Sequence, residues 1–189
     1  MIIQLCLSFI ILAMPQPTKA ADGYVGLGVG NSRATVDKGI VNFNTQDWKP
    51  NVTIWRLFAG YGLNDYFGME AGYIPLGKAR VSTMDGAYYE IRVTGFELTP
   101  VASLPIIKTF AVFARCGLIF WYSDVKYYSI MNSGTENASG SSLTVSLGAR
   151  YFFSRRFGVR AEYSLYDIDK SEAGAGDHRV ISLSGMLIF

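Results

Sequence analysis

The 189-residue sequence predicts an all-β fold: an eight-stranded, antiparallel, up-and-down transmembrane β-barrel. Three observations carry this reading. Apolar and polar residues alternate with a period of two along most of the chain after Ala20. The connectors between the alternating segments are in turn short and long. Aromatic residues gather near the ends of the apolar faces. A strand facing lipid on one side needs this alternation, and barrels in the outer membrane join their strands by short periplasmic turns and longer external loops.

Composition narrows the classes first. Charged residues make up 17 % of the chain and hydrophobic residues 50 %. Soluble domains carry about 25 % charge, so part of this surface is expected to face something other than water. Lys and Arg total 17 against 15 Asp and Glu, a net of +2, which provides no polyanion footprint and excludes nucleic acid as a partner. No apolar run reaches the ~18 residues a membrane helix requires. A membrane can then be crossed only by strands, which need a closed barrel to satisfy their backbone groups.

The chain opens with an apolar stretch from Met1 to Met14, followed by Thr18-Lys19-Ala20-Ala21. Small residues at Thr18 and Ala20 suit cleavage after Ala20. Residues 1–20 are thus expected to be a signal peptide, one without the usual positive charge before its core, and residues 21–189 the barrel domain. Cys6 precedes the apolar core, which argues against a lipoprotein signal. Its removal would leave Cys116 as the sole thiol.

The first segment, 22–32, contains Gly26-Leu27-Gly28-Val29-Gly30. These glycines have the wrong spacing for a phosphate loop, and no helix follows. On a strand they face inward and leave room for large side chains such as Phe113. Segments 52–62 and 67–73 turn Arg56 and Glu70 inward and Trp55, Tyr61, Phe67 and Tyr73 outward; segment 89–104 turns Glu97 inward. Segment 110–122 sets Phe110, Val112, Ala114, Cys116, Leu118, Phe120 and Tyr122 against Phe113, Arg115, Gly117 and Ile119. Segment 142–153 opposes Leu143, Val145, Leu147, Ala149, Tyr151 and Phe153 to Thr144, Ser146, Gly148, Arg150 and Phe152. In segment 157–166, Phe157, Val159, Ala161, Tyr163 and Leu165 oppose Gly158, Arg160, Glu162, Ser164 and Tyr166. Segment 180–189 ends the chain with Ile181, Leu183, Gly185, Leu187 and Phe189 on one face.

Residues 63–66, 105–109 and 154–156 form the short turns; 33–51, 74–88, 123–141 and 167–179 form the long polar loops. A soluble lipocalin-like barrel would show the same alternation with its apolar face inside. The aromatics decide against it. Trp55, Tyr61, Phe67, Tyr73, Phe110, Tyr122, Tyr151, Phe153, Phe157 and Phe189 lie near strand ends on the apolar face, as the interfacial girdles of a membrane barrel do.

These residues resemble the eight-stranded barrel domain of the outer membrane protein A (OmpA) family from about Tyr24 to Phe189. The resemblance is most specific in Phe58-Ala59-Gly60-Tyr61-Gly62-Leu63-Asn64-Asp65-Tyr66-Phe67-Gly68-Met69-Glu70-Ala71-Gly72-Tyr73 and in Arg160-Ala161-Glu162-Tyr163. Gly95-Phe96-Glu97-Leu98-Thr99 and the terminal Phe189 are similar too. It implies a location in the outer membrane of a Gram-negative bacterium. It also implies a lumen plugged by ion pairs, chiefly a glutamate and an arginine that exchange partners, at the positions of Glu70 and Arg160. Arg150 stands where the family carries a second acid, and Val101 replaces a lumenal lysine. The resemblance further implies an assembly signal read by the barrel-assembly machinery, here Ile181, Leu183, Leu187 and Phe189. The family's peptidoglycan-binding domain has no counterpart here, so wall anchoring is not expected to carry over.

Alternation independently turns Arg56, Glu70, Glu97, Arg115, Arg150, Arg160 and Glu162 into the lumen, four arginines against three glutamates. Interior charges in a narrow barrel can simply fill it and satisfy one another. The expected function is a structural, envelope-integrity role, with a porin-like, low-conductance pore through the charge-plugged lumen as an addition. Such a pore would open rarely and weakly prefer anions. The alternative is a surface adhesin whose loops present Trp48, Tyr127, Tyr128 and Met131 to a host or surface ligand. The third reading, a lipid-modifying enzyme, needs a histidine beside a serine nucleophile. His178, the only histidine, falls in the last long loop with no such signature, so no enzyme, catalytic residue, cofactor or metal is expected. The expected surroundings are outer membrane lipid and lipopolysaccharide around a monomer.

Overall fold

A computed structural model describes residues 23–34, 51–82, 88–128, 133–167 and 178–189. They form eight strands: β1 (Gly23–Ala34), β2 (Asn51–Gly62), β3 (Phe67–Ser82), β4 (Tyr88–Ile107), β5 (Phe110–Tyr128), β6 (Ser133–Phe152), β7 (Phe157–Asp167) and β8 (His178–Ile188). Each pairs antiparallel with its sequence neighbour, and β8 returns to β1, so the sheet is a closed barrel. Closure leaves no strand edge without a partner along the span, which is the condition for a sheet in lipid.

Three connections are tight. After β2, the Asn64 side chain accepts from the backbone N–H groups of Tyr66 and Phe67, both at 2.8 Å. After β6, Ser154 Oγ accepts from the N–H groups of Arg156 and Phe157 at 3.3 and 3.0 Å. Such side-chain caps let a short polar turn satisfy its own backbone. Gly23 and Phe189 lie at this same rim, where they exchange backbone bonds of 3.1 and 2.9 Å. By the short-turn rule this is the periplasmic end.

The strands are unequal, and here the structure corrects the sequence reading. Strands β1, β2, β7 and β8 have 11 or 12 residues, whereas β4, β5 and β6 have 19 or 20. Most of the expected loops at 74–88 and 123–141 is strand: β3 and β4 stay paired out to Ser82↔Tyr88, and β5 and β6 out to Tyr128↔Ser133. A membrane strand needs only ~9–11 residues, so this four-stranded wall stands beyond the apolar band. Water on both faces removes the alternation that would have revealed it, as in Ser133-Gly134-Thr135-Glu136-Asn137. In β3 a bulge between Pro75 and Gly77 interrupts the pattern as well. Gly77 holds φ at +146°, a backbone state open to glycine and strained for other residues.

The pleat otherwise has the expected phase. β7 alternates exposed and buried without a break from Phe157 to Asp167. Leu27, Val29, Leu57, Phe96, Leu118, Leu147, Leu183 and Phe189 are exposed on the outside. Ten aromatics were expected on this face. Trp55, Tyr61, Tyr73, Tyr122, Tyr151, Phe153, Phe157 and Phe189 are exposed, while Phe67 and Phe110 are half-buried. Trp55 and Tyr73 touch across β2 and β3 at 5.5 Å between ring centroids.

The inward glycines of β1 do make room, though not for Phe113. A Cβ on Gly26 would lie 2.2 Å from the Phe58 ring, so Phe58 occupies that space; Phe113 lies against Gly148 of β6 instead.

Two outcomes test this arrangement. Cys116 is half-buried, between the exposed Ala114 and Leu118 and next to the inward Arg115. A water-soluble maleimide is expected to label it slowly in lipid vesicles and fully after denaturation. Rapid labelling in intact vesicles would reverse the phase of β5. Unheated protein in mild detergent should also migrate differently from boiled protein, and deletion of Phe189 should slow the appearance of that species. Equal mobility before and after boiling would contradict closure.

Candidate functional site in the barrel lumen

All seven charged residues expected in the lumen point into it and are at least nine-tenths buried: Arg56, Glu70, Glu97, Arg115, Arg150, Arg160 and Glu162. Six of them form one network. Arg56 reaches Glu70 and Glu97 at 2.7 Å each and Glu162 at 3.0 Å. Arg115 reaches Glu70 at 2.9 Å and Glu97 at 3.2 Å, and also contacts Glu162. Arg160 meets Glu70 at 2.5 Å and contacts Glu162, its neighbour two residues along β7. Three arginines thus face three glutamates. The guanidinium fork makes this possible, because each carries several donors in a rigid plane that suits carboxylates.

Neutral donors complete the carboxylate shells. Tyr24 Oη donates to Glu70 at 3.0 Å, Tyr166 Oη to Glu97 at 2.5 Å and Ser164 Oγ to Glu162 at 2.9 Å. Arg115 also donates to Thr99 and Ser146, at 3.1 and 3.2 Å. These neighbours come from β1, β4, β6 and β7, so the network ties distant strands across the barrel.

Arg150 departs from the expected four-against-three cluster. It forms no ion pair with the three glutamates. Its guanidinium lies over the rings of Phe113 and Tyr24, at 4.5 and 5.4 Å from their centroids. Phe113 carries Arg160 as well, at 4.3 Å.

The network sits between two apolar layers that sequence reasoning missed. On the external side, Ile54, Ile74, Leu76, Val93, Ile119, Trp121, Tyr166 and Val180 form a buried cluster. Trp121 turns its Nε1–H to Ser142 Oγ at 3.1 Å. On the periplasmic side, Tyr24, Phe58 and Met186 form a second cluster, with Phe152 and Ile188 packed on it. Phe58 lies under Arg56 and Arg160, at 5.0 and 4.6 Å. A detectable signal for the upper layer did exist: Leu118-Ile119-Phe120-Trp121-Tyr122 has no polar member, which means a strand apolar on both faces.

His178 is also corrected. It opens β8 rather than lying in a loop, is buried, and shares a hydrogen bond of 3.1 Å between its Nδ1 and Ser32 Oγ. The two residues are 146 positions apart, so only closure of β8 on β1 brings this serine and histidine together. Both face the lumen, away from the acyl chains a lipid-modifying enzyme would have to reach. Among the described residues no group of three His, Cys, Asp or Glu side chains is placed to hold a metal ion. Trp48 and Met131 lie outside the described residues, as do residues 1–22; Tyr127 and Tyr128 belong to β5.

An eight-stranded barrel with an apolar outer face, aromatic strand ends and a charged, packed interior defines a transmembrane barrel of the outer-membrane type. The chain belongs to the family of OmpA-like transmembrane domains, whose model matches residues 18–184. It is 30 % identical over 146 residues to outer membrane protein A of Yersinia pseudotuberculosis, covering 74 % of this chain and 40 % of that protein. Over 142 residues it is 30 % identical to outer membrane protein A of Escherichia coli O157:H7, covering 74 % of this chain and 39 % of that protein. The chain therefore matches about two fifths of the length of these relatives. Among solved structures, the attachment invasion locus protein Ail of Yersinia pestis, in complex with the heparin analogue sucrose octasulfate, superposes with a TM-score of 0.63 at 16 % identity, over 90 % of this chain and 100 % of that one. Neisserial surface protein A superposes with a TM-score of 0.63 at 14 % identity, over 90 % and 98 %. Such low identities establish the shared barrel fold. Family and fold together place the protein in the Gram-negative outer membrane.

Proposed function

We propose that this protein is a structural, non-enzymatic barrel of the outer membrane, delivered by cleavage after Ala20 and by the Ile181, Leu183, Leu187 and Phe189 face. Its lumen is a plug rather than a working pore. The observation that carries this reading is the order of layers along the barrel. The three-against-three charge network lies between an external and a periplasmic apolar layer. An ion crossing the lumen would have to pass two layers packed largely from apolar side chains, as well as break pairs that stabilise one another. In planar bilayers the purified protein is expected to show no steady current at moderate voltage. Sustained single-channel conductance would instead support the pore reading.

A second reading is supported by the wall that β3 to β6 build beyond the membrane. A paired sheet presents a firmer surface than loops, which suits contact with an external partner. Replacing residues 123–141 by a short turn should abolish adhesion of expressing cells to a host or abiotic surface if the wall is the contact, while the boiled and unboiled gel species remain distinct. Unchanged adhesion would remove this reading.

A further inference from the structure

Arg150 is the one cation of the lumenal seven without a carboxylate. The three glutamates are engaged by Arg56, Arg115 and Arg160 and by Tyr24, Tyr166 and Ser164. Directly across the β6–β7 ladder from Arg150 stands another cation, Arg160. Arg150 is 9 % exposed, and its Nε and Nη2 find no acceptor in the protein. The six network charges cancel, so Arg150 leaves a net charge of one on the periplasmic side of the plug. A buried charge without a partner is costly, and two aromatic faces offset only part of that cost.

The surroundings suit a small ligand. Arg150 lies two residues from the end of β6, near the periplasmic rim. Tyr24 and Ala111 beside it keep 9 % and 8 % exposure, while the deeper Arg160 and Glu97 keep none. Exposure thus tapers from the periplasmic rim to a guanidinium whose Nε and Nη2 are buried and unpaired between apolar walls. Chloride and similar monovalent anions match this: they need one or two donors, are small and lose little hydration energy compared with multivalent ions. We propose that Arg150, framed by Tyr24 and Phe113, is a periplasmic-side binding site for a small monovalent anion, occupied by chloride under ordinary conditions. The occupant neutralises the last lumenal charge and completes the plug from below.

The test compares thermal unfolding of the full barrel in uncharged detergent, in chloride, bromide or gluconate at constant ionic strength. Anything that binds only the folded state raises its stability with ligand concentration. Chloride and bromide should raise the unfolding temperature of the parent protein by about 2–4 °C for each kcal/mol gained, and saturate. Gluconate, too bulky to enter, should give no such rise. Arg150→Gln should lose the chloride response and, in gluconate, unfold at or above the parent's temperature, because it removes an uncompensated charge. Arg150→Lys should keep a weakened response. Crystals grown in bromide should show an anomalous peak beside the Arg150 guanidinium. The same chloride response in Arg150→Gln, or no difference between chloride and gluconate in the parent, would overturn the proposal. So would stabilisation by an acidic peptide without any by chloride, which would move the ligand to a protein partner.

Discussion

Replacing Glu70 by alanine is expected to cost about 3–5 kcal/mol of unfolding free energy, the range for breaking a buried ion pair by removing one partner. Glu70 is among the most connected groups in the lumen. Its two oxygens take Arg56, Arg115, Arg160 and the Tyr24 hydroxyl within 2.5–3.0 Å. Without it, three guanidiniums share Glu97 and Glu162, and two positive charges are left over where the parent has one. The double variant Glu70→Ala/Arg160→Ala should recover part of the loss, since it restores the balance of charge. Coupling between residues of one network typically amounts to 0.5–3 kcal/mol. Urea unfolding in vesicles of the parent, both single variants and the double variant measures it. Strictly additive losses would mean that the two side chains fill space independently, against the 2.5 Å contact between them.

Much of this site can be read from the sequence, because a strand's pleat is local. Once Val159, Ala161 and Tyr163 are assigned to lipid, Arg160 and Glu162 must face inward, whatever the rest of the chain does. The same logic places Arg56, Glu70, Glu97, Arg115 and Arg150. What it cannot provide is height and neighbourhood. That Arg150 falls outside the ion-pair network depends on the stagger of β6 against β7 and on Phe113 and Tyr24, contributed by β5 and β1. The Ser32–His178 bond likewise exists only because the first and last strands meet. The upper apolar layer was missed for a different reason. Ile119 and Trp121 lie on the face expected to be polar, yet in a barrel this narrow the interior is a packed core. The outer wall of β3–β6 escaped because, away from lipid, strands need no apolar face.

The largest effect on permeability is expected from removing both apolar layers together. Phe58→Ala alone should cost about 3–5 kcal/mol and Trp121→Ala a similar amount, the usual loss for truncating a buried aromatic. Neither is expected to conduct. With Phe58 gone, water can reach Arg56 and Arg160 from the periplasm, since the space it leaves is lined by guanidiniums as well as apolar groups. The external cluster around Ile74, Leu76 and Ile119 would still bar the way. With Trp121 gone, the space opens on that external cluster, while Tyr24, Phe58 and Met186 still close the other side. Glu70→Ala should also stay shut for this reason, although the network itself is broken. Only Phe58→Ala/Trp121→Ala lets water meet the charge network from both ends, where paired side chains can be hydrated and rearranged. Bilayer recordings should then show small, persistent currents in the double variant, with folding verified by the mobility difference between unboiled and boiled protein. Current in either single variant would mean that one layer suffices as the barrier. A silent but folded double variant would mean that the ion pairs themselves close the lumen, and that the apolar layers serve stability alone.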